Sequence, residues 1–97
     1  MILEFDWDQW NIQKNEIKHG VAKLEAESIF YDPKLKIYND FKHSTKSEKR
    51  FICYGHSLRN RILMIAFTIR QKKVRIISAR TASKKERKYY EEENIRD

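Results

Sequence analysis

Between Arg50 and Ala79 the chain carries three runs rich in β-branched and aromatic residues, and their spacing leaves few folds open. The runs are Arg50–His56, Ile62–Arg70 and Lys73–Ala79. Such residues suit the pleated, half-buried surface of a sheet. The connections Ser57–Arg61 and Gln71–Lys72 are too short for a crossover helix, so the runs predict an antiparallel meander. Neither connection carries an Asn-Gly or Asp-Gly pair, which leaves both turn types open.

Helical signals flank this meander. Ile2–Phe5 alternates and reads as an edge strand. Asp8 is an N-cap for a helix from about Gln9 to His19, and Gly20 is a natural left-handed stop. Trp10 and Ile17, two turns apart on one face, are expected to give that helix its core contact together with Trp7. A second helix from about Ala22 to Tyr31 points Ala22, Ala26, Ile29 and Phe30 inward and stops at Pro33. Leu35–Tyr38 reads as a short strand, and Asn39–Lys49 as a polar loop. After the meander, Ser83-Lys84-Lys85-Glu86 forms a capping box, in which the Ser hydroxyl and the Glu carboxylate satisfy each other's backbone amides. The helix it opens runs through Tyr90 and is expected to fray among Glu91, Glu92 and Glu93, whose charges oppose the helix dipole. The expected fold is α+β: two N-terminal helices packed on an antiparallel meander, followed by a C-terminal helix, all in one domain spanning residues 1–97.

Charge narrows the partners. The net charge is +7, and it is split: residues 1–33 hold three Lys against seven acids, and residues 34–97 hold eighteen Lys or Arg against seven. A basic surface of this kind concentrates phosphate-bearing ligands such as nucleic acid, although an acidic protein is also compatible with it. Met1-Ile2-Leu3 runs into Glu4-Phe5-Asp6 without a basic and then apolar leader, and Ile62–Ile69 is too short to cross a bilayer. Neither a secretory signal nor a membrane anchor is therefore expected. The single cysteine, Cys53, reads as a small buried hydrophobe and excludes an internal disulfide framework. His19, His43 and His56 are scattered and no carboxylates stand at metal-ligand spacing, so no metal or other cofactor is expected. A reducing, cytoplasmic location fits all of this.

Three stretches carry a further signal. The first is Phe5-Asp6-Trp7-Asp8 followed by Asn15-Glu16-Ile17-Lys18-His19-Gly20-Val21. The second is Phe30-Tyr31-Asp32-Pro33, then Asp40, His43-Ser44 and Glu48-Lys49-Arg50-Phe51 leading to Gly55. The third is Arg75-Ile76-Ile77-Ser78-Ala79-Arg80, then Ala82, Glu86-Arg87 and Tyr90-Glu91. In this order they resemble the BrnT family, toxins of bacterial type II toxin–antitoxin pairs. Gln9 stands where that family often has Pro, and Ala22 where a capping Ser or Thr is common. The resemblance implies a RelE-like fold and an endoribonuclease that blocks translation and growth. It also implies a BrnA-type antitoxin that neutralises the toxin, and contact with operator DNA only through the toxin–antitoxin complex. A toxin homodimer inside a heterotetramer is one arrangement it allows.

Metal-independent RNA cleavage uses the ribose 2′-OH as nucleophile and needs a base, an acid and positive charge on the phosphorane-like transition state. Arg80, at the end of the last strand, is the leading phosphate contact, because arginine can grip phosphate bidentately. Simple alternation puts Ile76, Ser78 and Arg80 on one face of that strand, and Arg75, Ile77 and Ala79 on the other. Arg50 opens the meander and is a second candidate. His19 is either a helix-end cation or a proton carrier, and His43 either a solvated loop residue or an acid–base group. Glu86 is explained by the capping box as readily as by catalysis, and Tyr90 by packing as readily as by stacking or proton transfer. Lys18, Arg75, Ser78, Lys84, Lys85 and Arg87 complete the candidate RNA-binding set, with the lysines as backbone-steering charges. Two other readings compete: a non-catalytic RNA- or DNA-binding module, and a protein that docks an acidic partner.

Overall fold

The structure is a computed structural model that describes residues 3–95, with side chains as far as Glu92. Five strands form one sheet in the order β1-β5-β4-β3-β2. They are β1 Phe5–Trp7, β2 Lys36–Asn39, β3 Arg50–His56, β4 Ile62–Arg70 and β5 Lys73–Thr81. The helices are α1 Gln9–His19, α2 Lys23–Ser28, continued by a 3₁₀ turn over Ile29–Tyr31, and α3 Lys84–Ile95. The antiparallel meander β3–β4–β5 forms as expected, and β2 extends it. The sheet is mixed, however, because β1 pairs parallel to β5. Strand β1 begins later than expected; Ile2 lies outside the described residues. The β4–β5 turn bends through Gln71 and Lys72 at φ 53° and 64°. Two successive left-handed residues match the twist of a hairpin, here without the usual Asn-Gly.

Helix α1 has the expected bounds. Asp8 caps it by accepting from the Trp10 amide at 2.8 Å, and Gly20 ends it in the left-handed region at φ 64°. Its buried face is not the expected one. Trp10 and Ile17 are 70% and 84% exposed, while Asn15 is buried. The cause lies in β5: β1 covers only Val74–Ile76 of its edge, and Asn15 Oδ1 accepts the amide of Ala79 beyond it, at 3.1 Å. A helix that must satisfy a strand edge turns a polar side chain inward. Ala22 is likewise exposed and caps α2 without a side-chain hydrogen bond, whereas Ala26 and Ile29 are buried as expected. Helix α3 continues past the expected fraying point to Ile95, with Lys88 and Glu92 3.8 Å apart one turn on.

One face of the sheet packs under α1, α2 and the 3₁₀ turn. Val21, Ala26, Ile29, Cys53, Leu63, Ile65, Phe67, Val74, Ile76 and Ala79 form its core. Phe5, Phe30, Phe67 and Phe51 extend this core as a chain of ring contacts with centroids 5.2–5.4 Å apart. Gly55 is required here, because a Cβ would stand 2.8 Å from Ile29 Cβ. Cys53 is fully buried, and burial pushes its thiol far above the ordinary range. A smaller cluster of Ile62, Ala82 and Tyr90, with Tyr54 against it, holds α3 over one end of the opposite face.

Candidate functional site on the open face of the sheet

A β-bulge decides which side chains reach the open face. Ala66 pairs with Ser78 but Phe67 pairs with Ile76, so Ile77 is an extra residue on β5. The bulge breaks the simple alternation. Ile76 and Ala79 both face the core, and Ser78 and Arg80 emerge on the other side. The expectation that Ile76 shares a face with Arg80 is thereby corrected. Arg80 pairs across with Met64, and Met64 with Tyr54. Arg80 and Tyr54 therefore stand two strands apart, roughly 10 Å, with Met64 between them.

Glu86 bridges that gap from the first turn of α3. It completes the capping box, its Oε1 accepting the Ser83 amide at 2.8 Å while Ser83 Oγ accepts the Glu86 amide at 3.2 Å. The same carboxylate takes both terminal nitrogens of Arg80, Nη1 on Oε1 at 2.8 Å and Nη2 on Oε2 at 3.0 Å. Arg80 Nη1 also donates to the Thr81 carbonyl at 3.2 Å, and the Tyr54 hydroxyl to Glu86 Oε2 at 3.4 Å. Arg80 and the Ser83 amide hold the Glu86 carboxyl down at about 2, so it is ionised throughout the physiological range. Burial, reinforced by the Glu86 charge, raises the Tyr54 phenol and keeps it protonated.

The end-on grip leaves the side edge of Arg80, Nε–H and the second Nη2 hydrogen, without a partner among the described residues. That edge is a complete bidentate donor. Arg61 uses its own Nε and Nη2 in this way to hold Glu25, both at 2.6 Å. Lys84 and Lys85 are exposed on the first turn of α3, the turn that carries Glu86.

The other expected site residues are dispersed. Arg50 is on the same face but four residues along β3 from Tyr54, roughly 13 Å away. It lies 4.0 Å from Glu48, which Arg70 holds at 2.7 Å. Arg75, at the far end of β5, is paired with Asp6 at 2.9 Å and Asp8 at 3.6 Å. Ser78 sits mid-strand opposite Ala66. Lys18 and His19 are exposed at the end of α1, in the helical layer on the core side. His43 is exposed in the β2–β3 loop, its Nδ1 2.8 Å from Asp40 Oδ2. Tyr90 is buried and donates to Asp32. Burial and that carboxylate drive its phenol far above the ordinary range. Arg87 faces a separate depression with His56, Arg61 and Thr81. The structure therefore brings together Arg80 and Glu86, with Lys84 and Lys85 on the same helical turn as Glu86, and not the histidines, Arg50 or Tyr90. Among the described residues no three His, Cys, Asp or Glu side chains converge on a metal position. No described helix is long and apolar enough to cross a membrane.

Sequence reasoning missed Tyr54, although the spacing Arg50-x-Ile52-x-Tyr54 was a signal that it shares the face of Arg50. It also missed the Arg61–Glu25 pair, whose partners are far apart in the chain and leave no local pattern.

A family profile described as the ribonuclease toxin BrnT of type II toxin–antitoxin systems matches residues 7–86. Among solved structures, the fold is similar to the Brucella abortus ribonuclease toxin BrnT, with a TM-score of 0.61 and 24% identity over 86% of this chain and 100% of that one. No curated protein matches.

Proposed function

This chain belongs to the BrnT family of ribonuclease toxins of type II toxin–antitoxin systems, and from that membership we propose that it is a metal-independent endoribonuclease whose phosphate-binding group is Arg80. The observation that carries this reading is the geometry of one guanidinium. On the open face Glu86 fixes Arg80 end-on, which leaves Nε–H and the second Nη2 hydrogen as a preorganised bidentate donor. In this reading the 2′-hydroxyl loses its proton to solvent as its oxygen attacks phosphorus, the bond to the 5′-oxygen breaks, and Arg80 takes up the charge that develops on the phosphoryl oxygens. Tyr54 reaches the same Glu86 carboxylate from two strands away, and its hydroxyl is the group placed to protonate the departing 5′-oxygen. Glu86 binds protons too weakly to act as an efficient base, and it serves to orient Arg80. Lys84 and Lys85 steer the RNA backbone, while Arg50 and Ser78 track it along the sheet. RNA approaches the face of the sheet that α1 and α2 leave open, beside the first turn of α3.

The toxin acts in the cytoplasm on RNA, inhibits translation and is neutralised by a BrnA-type antitoxin, and the pair binds its own operator. Arg80→Ala tests the reading: RNA cleavage in EDTA and growth arrest are both expected to disappear, while antitoxin binding and a cooperative thermal transition, lowered by the loss of the Glu86 ion pair, are retained. Arg80→Lys should fail similarly, because lysine keeps the charge and loses the fork. Cleavage that survives both changes overturns the assignment. Wild-type protein that binds RNA but leaves it intact, with and without Mg²⁺, returns a non-catalytic binding module.

A further inference from the structure

Tyr38 on β2, Tyr54 on β3 and Tyr89 on α3 meet at the open face immediately beside Glu86. Their ring centroids lie 6.0 Å apart for Tyr38–Tyr54, 5.5 Å for Tyr38–Tyr89 and 6.5 Å for Tyr54–Tyr89. All three contacts are edge-on or tilted, with interplanar angles of 57–64°. All three rings line one groove. The groove offers about 430 Å³ and is lined also by Ile52, Lys85 and Glu86. That volume falls within the roughly 300–1,000 Å³ range of small-ligand sites.

Two features argue against a purely structural cluster. Tyr89 is 42% exposed, whereas its neighbour Tyr90 is the residue that anchors α3. Lys85 and Tyr89 stand one turn apart on the same helix, which joins a cation to an aromatic face. An apolar aromatic groove edged by a lysine, next to an arginine with a free bidentate edge, matches the alternation of base and phosphate along a single strand of RNA.

We propose that Tyr38, Tyr54 and Tyr89 form a nucleobase-binding subsite for single-stranded RNA, adjoining the phosphate position at Arg80. The base enters the groove against the tyrosine faces, and Lys85 meets the neighbouring phosphate. Glu86 belongs to both places, since it lines the groove and grips Arg80, so a seated base fixes the register of the phosphate to be cut. Stacking of this kind tolerates any base, and the subsite sets position more than sequence. The inference rests on the ribonuclease reading, and its test separates the two.

The test uses a short, uncleavable 2′-O-methyl RNA strand and a matching chain of abasic sugar phosphates. Affinity is measured by fluorescence anisotropy for the wild-type protein, Tyr89→Ala, Tyr89→Phe and Tyr38→Leu, each checked by a thermal melt. The wild type should bind the base-bearing strand more tightly. Tyr89→Ala and Tyr38→Leu should weaken that strand about 5- to 100-fold and leave the abasic chain unchanged, and Tyr89→Phe should retain binding. Equal losses on both strands, no loss on either, or no preference for bases in the wild type would overturn the subsite. Base-dependent binding by a protein that cleaves no RNA would uphold the subsite and overturn the ribonuclease reading alone.

Discussion

Glu86→Gln separates the two tasks of one carboxylate. Glutamine can still accept the Ser83 amide, because the capping box accommodates Gln as well as Glu, so the substitution chiefly removes the charge that grips Arg80. At about 1.4 kcal/mol for each tenfold change in proton affinity, the fall from an ordinary 4.5 to about 2 caps the stabilisation near 3 kcal/mol. Arg80 is 37% exposed in its side chain, so solvent screening reduces the expected loss to about 1–2 kcal/mol at neutral pH. For a chain of this length that is a fall of roughly 5–15 °C in Tm.

The pH dependence follows from the direction of the shift. A carboxylate held below its unfolded value contributes fully above about 4.5, and its contribution is lost as pH falls towards 2. The stability difference between wild type and Glu86→Gln, from urea unfolding at a series of pH values, should therefore shrink across that window. Glu25, Asp32 and Glu48 are also held low, but both proteins contain them and they cancel in the difference. RNA cleavage should fall between about tenfold and a hundredfold as Arg80 loses its orientation. A stability difference that stays constant from neutral to acid would refute the ion-pair account and leave only the neutral cap.

Two further outcomes test the frame around the site. Arg61→Ala strands Glu25, whose side chain is 2% exposed, with Ser57 as its remaining hydrogen-bond donor, and should cost about 3–5 kcal/mol in urea unfolding at neutral pH. Arg61 holds the Glu25 carboxyl low in the wild type; without it burial raises the carboxyl, so the variant should regain stability on mild acidification. A cost below about 1 kcal/mol would show that the pair is not the anchor it resembles. Replacing Gln71-Lys72 with Asn-Gly relieves two left-handed residues in the β4–β5 turn and should raise stability by about 1 kcal/mol; no change in Tm would argue against the observed turn.

Local signals were legible in the sequence because each acts within a few residues. Asp8 and Gly20 bound α1, Ser83 and Glu86 open α3, and short connections force β3, β4 and β5 to pair antiparallel. The motifs of the family were legible for a similar reason: they are strings of residues in order, and residues 7–86 carry them. Even the charge split had local form, although its meaning did not. Acids of the N-terminal third turn out to neutralise distant arginines, Asp6 and Asp8 at Arg75 and Glu25 at Arg61. Arg75, expected to meet RNA, is thereby paired within the protein.

What waited for tertiary structure is whatever depends on neighbours far apart in the chain. The inward face of α1 follows from a strand edge 64 residues away that needs Asn15, and so Trp10 and Ile17 point outward. The parallel pairing of β1 joins the two ends of the fold. The extra residue at Ile77 appears only once β5 is laid against β4, and it reverses the facing that alternation alone assigns. Arg80 was legible as a candidate from its place at a strand end. That Glu86 also meets Tyr54, 32 residues away, was decided by packing α3 against β3, which the capping box alone does not state.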